Sequence, residues 1–188
     1  MAVSTILLII LAILILALIG GVISIYNGLI TVSNDVRKAW KSIDVALQQR
    51  NDELPKLIET CKGYLKHERE LLTKITELRA GYASVAPIQE KVRIENELAT
   101  LLKQLRIVAE QYPDLKAVQG FLQIQERVSA IESKIADYRE SFNDAVNTYN
   151  IQIHRLPDLL IARIMNYDRH PFLEVPAEKK QDVKMDFS

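Results

Sequence analysis

The chain has little of what most binding and catalytic machinery is built from. One cysteine in 188 residues excludes an intramolecular disulfide and any cysteine-based metal cluster. Six glycines and six prolines are too few for the frequent turns of an all-β fold. No glycine-rich phosphate loop and no G-x-S-x-G elbow occurs. Basic and acidic residues balance at 24 each, which leaves no net basic footprint for nucleic acid. Three histidines offer no ligand spacing: His67-Glu68 lacks the second His of H-E-x-x-H, and His154 and His170 lie far off in sequence. The expectation is no metal, no cofactor and no nucleic acid. With no catalytic constellation visible, it is also a protein that is not an enzyme.

What the chain has is apolar length. Residues 6–25, ILLIILAILILALIGGVISI, carry no charge. That is about 20 residues, enough to cross a hydrocarbon core of about 30 Å. A signal peptide would begin with a basic region and end at a small-residue cleavage site, and neither is present around this run. The reading is an uncleaved single-pass anchor. Arg37, Lys38 and Lys41 follow it, whereas only the amino terminus precedes it. The positive-inside bias then puts the rest of the chain in the cytoplasm and the N-terminus outside, in a bacterial inner membrane.

Beyond Ile25 the apolar residues recur at helical spacing. One stripe runs Ile25, Leu29, Val32, Val36, Trp40, Ile43, Leu47, and another Leu54, Leu57, Cys61, Leu65. A third takes in Leu98, Leu101, Leu105 and Val108. The cleanest is Val128, Ile131, Ile135, Tyr138, Phe142, Ala145, Tyr149 and Ile153, which alternates steps of three and four like a coiled-coil seam. Asn51-Asp52 ahead of Pro55, residues 81–87 (GYASVAP) and Tyr112-Pro113-Asp114 read as breaks, with Asp114 capping the long helix and Pro157 ending it.

The fold predicted is all-α: a transmembrane helix at 1–25, then an antiparallel up-and-down bundle over 26–156. Four helices are favoured, with three the alternative if residues 50–53 kink without turning. A short amphipathic helix over 157–170 and a flexible tail over 171–188 complete the organisation.

Candidate residues are weighed against plainer roles. Cys61 lies on an apolar stripe and reads as a small hydrophobe rather than a nucleophile. Trp40, in register with Val36 and Ile43, reads as a core or interface anchor. Asp44 sits beside Trp40, Ile43 and Leu47, so it is expected to be partly buried and to need a partner, with Arg50 or Arg79 as candidates. Gly20 and Gly21 would allow close approach of a second anchor helix, without the full G-x-x-x-G spacing. Leu160 and Ile164, next to Arg163 and Arg169, form an apolar face that either binds the bilayer surface or folds back on the bundle.

Tyr26-Asn27-Gly28-Leu29, Ala39-Trp40, Ile43-Asp44-Val45, Arg50, Leu54-Pro55 and Lys62-Gly63-Tyr64 together resemble the LemA family of bacterial membrane proteins. The likeness continues through Tyr112-Pro113, Phe121-Leu122, Phe142-Asn143, Tyr149-Asn150, Leu160-Ile161-Ala162 and Met185-Asp186-Phe187. It departs at Leu156-Pro157-Asp158, where members usually carry Phe-Pro-x-Asn, and at Cys61, commonly Val. The resemblance implies an N-terminal anchor and a cytoplasmic helical bundle, and it adds Tyr64 to the interaction candidates. It assigns no activity. One relative is associated with forming intracellular membranes, and family genes often lie near a membrane metalloprotease. Two functions follow as expectations: a membrane-anchored scaffold, self-assembling into a homo-oligomer and organising or remodelling the bilayer, or an adaptor for another membrane protein such as a protease.

Overall fold

The computed structural model describes residues 2–65, 67–84 and 88–173. Among these the secondary structure is helix, turn and extended connection, with no strand. Helix α1 runs Ala2–Lys62, α2 Arg69–Ser84, α3 Ile88–Ala109, α4 Pro113–Lys116, α5 Gln119–Gln152 and α6 Asp158–Ile164. Two compact units share these elements. One comprises residues 1–42 and 136–188, the other 43–135.

The favoured turn at residues 50–53 does not form: α1 passes through it, and through Pro55, without interruption. A mid-helix proline has no N–H and so abandons the carbonyl four residues earlier. Here that carbonyl belongs to Asn51, and Arg79 of α2 donates its Nε–H to it at 2.9 Å. The missing backbone donor is replaced by a guanidinium. Helix α1 instead ends around Gly63, where the N–H groups of Tyr64 and Leu65 both close on the Cys61 carbonyl at 3.0 and 2.9 Å.

In the unit of residues 43–135, α1, α2, α3, α4 and the start of α5 share one apolar core. Leu54, Ile58, Cys61, Ile75, Leu98, Leu105, Leu115, Phe121 and Val128 are among its buried members. Tyr112-Pro113-Asp114 does not cap the long helix. Pro113 opens the one-turn α4, and α5 starts separately at Gln119. The unit of residues 1–42 and 136–188 buries Leu29 and Val36 from α1 and Phe142, Val146 and Tyr149 from α5. Helix α5 stops at Gln152, five residues ahead of the Pro157 expected to end it.

Helix α6 ends in a Schellman arrangement. Asn166 takes the left-handed conformation at φ 53°. The Asn166 N–H donates to the Arg163 carbonyl at 3.2 Å and that of Tyr167 to the Ala162 carbonyl at 3.0 Å. Asparagine tolerates this backbone region better than other non-glycine residues. From the expected tail, residues 171–173 are described and residues 174–188 lie outside the described residues.

Candidate functional site

Charged side chains from three helices come together in the unit of residues 43–135, two of them at fully buried positions. Arg50 of α1 and Glu95 of α3 are fully buried and form an ion pair. Glu132 of α5 lies close enough to feel Arg50, and one of its carboxylate oxygens is buried with no hydrogen-bond partner in the protein. Burial lifts the Glu132 carboxyl above the ordinary value, and the opposing pull of Arg50 and Arg106 does not offset it. A partly buried carboxylate beside a fully buried ion pair is a costly arrangement.

The raised Glu132 value has a definite sign in stability. The folded state holds the proton more tightly than the unfolded one, so Glu132 favours folding below its unfolded value and loses that contribution as pH rises through its folded value. Glu132→Gln cannot ionise. It is expected to gain stability relative to the parent when both are compared at neutral pH, with the difference shrinking towards acid. Urea denaturation of both proteins at two pH values checks this. A neutral-pH loss would mean that the carboxylate is a stabilising partner of Arg50.

Asp44 is half-buried, its side chain 24% exposed. It accepts hydrogen bonds from the Tyr82 hydroxyl and the Lys91 ammonium, both at 3.0 Å. The Lys91 ammonium also lies 5.0 Å from the Tyr82 ring centroid. The partners expected from sequence were Arg50 or Arg79. Arg50 forms an ion pair with Glu95, and Arg79 bonds the Asn51 carbonyl. Burial, then the adjacent Asp44 carboxylate, pushes the Tyr82 hydroxyl well above its usual range, so Tyr82 is a donor at all physiological pH values.

Elsewhere the sequence candidates fall into separate places. Trp40 meets Phe142 edge-on, ring centroids 6.0 Å apart and planes at 69°. Cys61 is buried and its thiol is pushed up to about 11, which leaves it protonated and inert. Tyr64 is exposed in the turn after α1. Gly20 and Gly21 face open space. Leu160 and Ile164 are exposed on α6.

Two residues that sequence reasoning left without a role hold the chain after α6. The Asn150 amide donates to the His170 carbonyl at 2.9 Å and accepts its N–H at 3.0 Å. Asn143 does the same for Leu173, at 3.0 and 2.8 Å. Each side-chain amide thus pairs with one backbone residue as a neighbouring strand would. Seven residues of helix advance about 10.5 Å, and three residues of extended chain about 10 Å. The two repeats match, so both clasps close at once. Tyr149, between them, donates its hydroxyl to the Asp168 carbonyl at 3.0 Å and packs on the His170 ring at 4.8 Å. The signal was present: Asn143 and Asn150 each follow a seam aromatic, seven residues apart.

At the other end of the chain, α1 contains a stretch long and apolar enough to cross a membrane, none of it buried within the protein. Together these features define an all-helical protein with a candidate N-terminal membrane anchor. The LemA family profile matches residues 39–187, and the chain belongs to that family. Protein LemA of Metamycoplasma hominis is 28% identical over 129 aligned positions, covering 68% of this chain and 59% of that relative. Magnetosome protein MamQ 2 of Paramagnetospirillum magneticum is 24% identical, with 87% of this chain and 70% of the relative aligned. Magnetosome protein MamQ of Magnetospirillum gryphiswaldense is 21% identical, with 89% and 72% aligned.

Proposed function

We propose that this chain is a non-enzymatic, membrane-anchored helical scaffold that self-associates and organises the bilayer carrying it. One observation carries the reading. The exposed apolar stretch of α1 continues without a break into the folded part of the same helix, where buried Arg50 pairs with buried Glu95 of α3. Chemistry needs groups aimed at a substrate, whereas scaffolding needs groups that fix helix register, and buried pairs serve that second use. Relatives whose names tie them to the magnetosome fit a structural role. The charge bias of Arg37, Lys38 and Lys41 supports a bacterial inner-membrane protein with its N-terminus outside and its folded units in the cytoplasm.

One labelled protein tests both parts. In an otherwise unchanged chain, Ile107→Cys puts a reactive thiol at an exposed position, while buried Cys61 stays silent. A permeant bifunctional maleimide applied to intact cells is expected to yield crosslinked dimers and larger species, and an impermeant maleimide no labelling. Monomer alone at every expression level would remove self-association. Labelling by the impermeant reagent would reverse the orientation. A single adduct with one unrelated protein would replace the scaffold by an adaptor.

A further inference from the structure

Residues 4–24 of α1 are exposed without exception, and coverage by the rest of the protein begins at Ile25 and is complete at Leu29. The folded part of this unit therefore starts where the apolar run stops. What meets α1 there is the end of α5. A Cβ placed on Gly28 would lie 3.0 Å from the Gln152 side-chain nitrogen, so Gly28 is the point of close approach between the two helices. Gln152 is the last residue of α5, and α6 follows within six residues. After α6 the chain runs back along α5, clasped first at Asn150 and then at Asn143. Helix α6 thus occupies the turn-round at the anchor end of this unit.

Its two faces differ sharply. Asp158 and Ala162 point inward and are buried. Leu160 and Ile164, four residues apart on the helix, are 59 and 80% exposed, and Leu156, in the turn that precedes α6, is 73% exposed. Ile151 and Tyr26, at the ends of α5 and of the apolar run, are exposed as well. Such large apolar side chains gathered at one end are ordinarily covered by something. The Schellman end at Asn166 and the two asparagine clasps hold α6 in this orientation, so its outward face is fixed by packing on the inward one.

We propose that the outward face of α6 lies in the bilayer interface beside the anchor, with Leu160 and Ile164, and Leu156 of the turn before the helix, inserted among the lipid headgroups and upper acyl chains. The occupant is a lipid surface because the face is continuous with the anchor and lies where α1 emerges from its apolar run. The local charge is small. Arg155 is paired with Asp158 at 2.6 Å, Asp168 sits next to Arg169 in sequence, and Arg163 is the one further arginine between residues 151 and 170. The contact is therefore chiefly apolar, and anionic lipid adds little to it. A single-pass anchor leaves rotation and tilt free. A second contact at the interface removes that freedom and sets the folded unit at one angle to the membrane. This inference rests on the anchor reading.

The test uses the full chain with Cys61→Val, reconstituted in phosphatidylcholine vesicles with and without phosphatidylglycerol. An environment-sensitive fluorophore is attached through Ile164→Cys, Tyr138→Cys or Ile13→Cys in turn. Tyr138 lies fourteen residues before Gln152 on α5, about 21 Å along the helix axis. Lipids brominated near the headgroup are expected to quench the label at position 164 by roughly half and to leave that at 138 bright. Lipids brominated deep in the chain should quench the label at 13. Quenching at 13 with none at 164 overturns the interface contact while leaving the anchor intact. No quenching at 13 overturns both. Shielding of the label at 164 from lipid, with self-quenching between labelled copies, would assign the face to a second copy and overturn the proposal. Quenching at 164 that appears only with phosphatidylglycerol would overturn its apolar basis.

Discussion

Arg50→Ala should destabilise the protein by about 3–5 kcal/mol, the largest single loss expected outside the apolar core. The reason is what remains. Glu95 is wholly buried, and without Arg50 its carboxylate has lost the cation that made its burial tolerable. Glu132 loses a favourable neighbour in the same step. Replacing the whole layer by apolar or neutral groups of similar volume, Arg50→Met with Glu95→Leu and Glu132→Gln, is expected to recover most of the loss, because the desolvation penalty leaves with the charges. Urea denaturation of the full chain in mild detergent, followed by far-ultraviolet circular dichroism, measures both. A loss below about 0.5 kcal/mol for Arg50→Ala would place the pair in solvent. A triple variant no better than the single one would show that the layer is needed for more than charge balance.

Phe142→Ala should cost about 3–5 kcal/mol as well, from apolar transfer and the cavity left behind. Phe142 is buried and supplies the edge against which Trp40 packs. Trp40 is the chain's sole tryptophan, so intrinsic fluorescence reports this contact without labelling. Removing the ring should move Trp40 emission to longer wavelength even in the folded protein, and lower the midpoint of the fluorescence transition in urea. Phe142→Leu keeps most of the volume and should cost far less, with emission close to the parent's. If Phe142→Ala left both emission and midpoint unchanged, the pair would be a surface contact. Circular dichroism and fluorescence transitions need not coincide, because Trp40 and Arg50 belong to different compact units.

The helical class and the apolar stretch at the N-terminus were legible because they rest on periodicity and length, which a single sequence displays directly. The continuity of α1 was not, and the cause is specific. Its apolar stripe stops at Leu47 and resumes at Leu54, with polar residues between. Two of those, Arg50 and Asn51, are buried and keep the helical step. The stripe never broke; its core positions were filled by polar residues. Glu95, in step with Leu98 on α3, hid in the same way. Pro55 reads as a helix start or a kink, and the donor that serves the carbonyl it abandons comes from Arg79, 28 residues from Asn51 along the chain. Such long-range partners leave no local trace. Asp44 was recognised as a carboxylate needing a partner, yet Tyr82 and Lys91 could not be preferred over the arginines without knowing which helices face each other. The α6 face was visible as apolar with basic neighbours. Its position at the end of the apolar run depended on Gly28 and Gln152, a pair 124 residues apart.

The paired asparagines carry a consequence for how the chain can change length. Insertion of one residue between Asn143 and Asn150 would rotate the second by about 100° around α5, turning its amide away from the returning chain. A deletion does the same in the opposite sense. Removing one residue between His170 and Leu173 puts the two partners about 3.4 Å out of step, further than a hydrogen bond can stretch. Single-residue insertions and deletions here put the two clasps out of register, which a substitution at an exposed position of the same segments does not. A deep insertion-and-deletion scan should therefore find residues 143–150 and 170–173 among the least tolerant stretches of the chain.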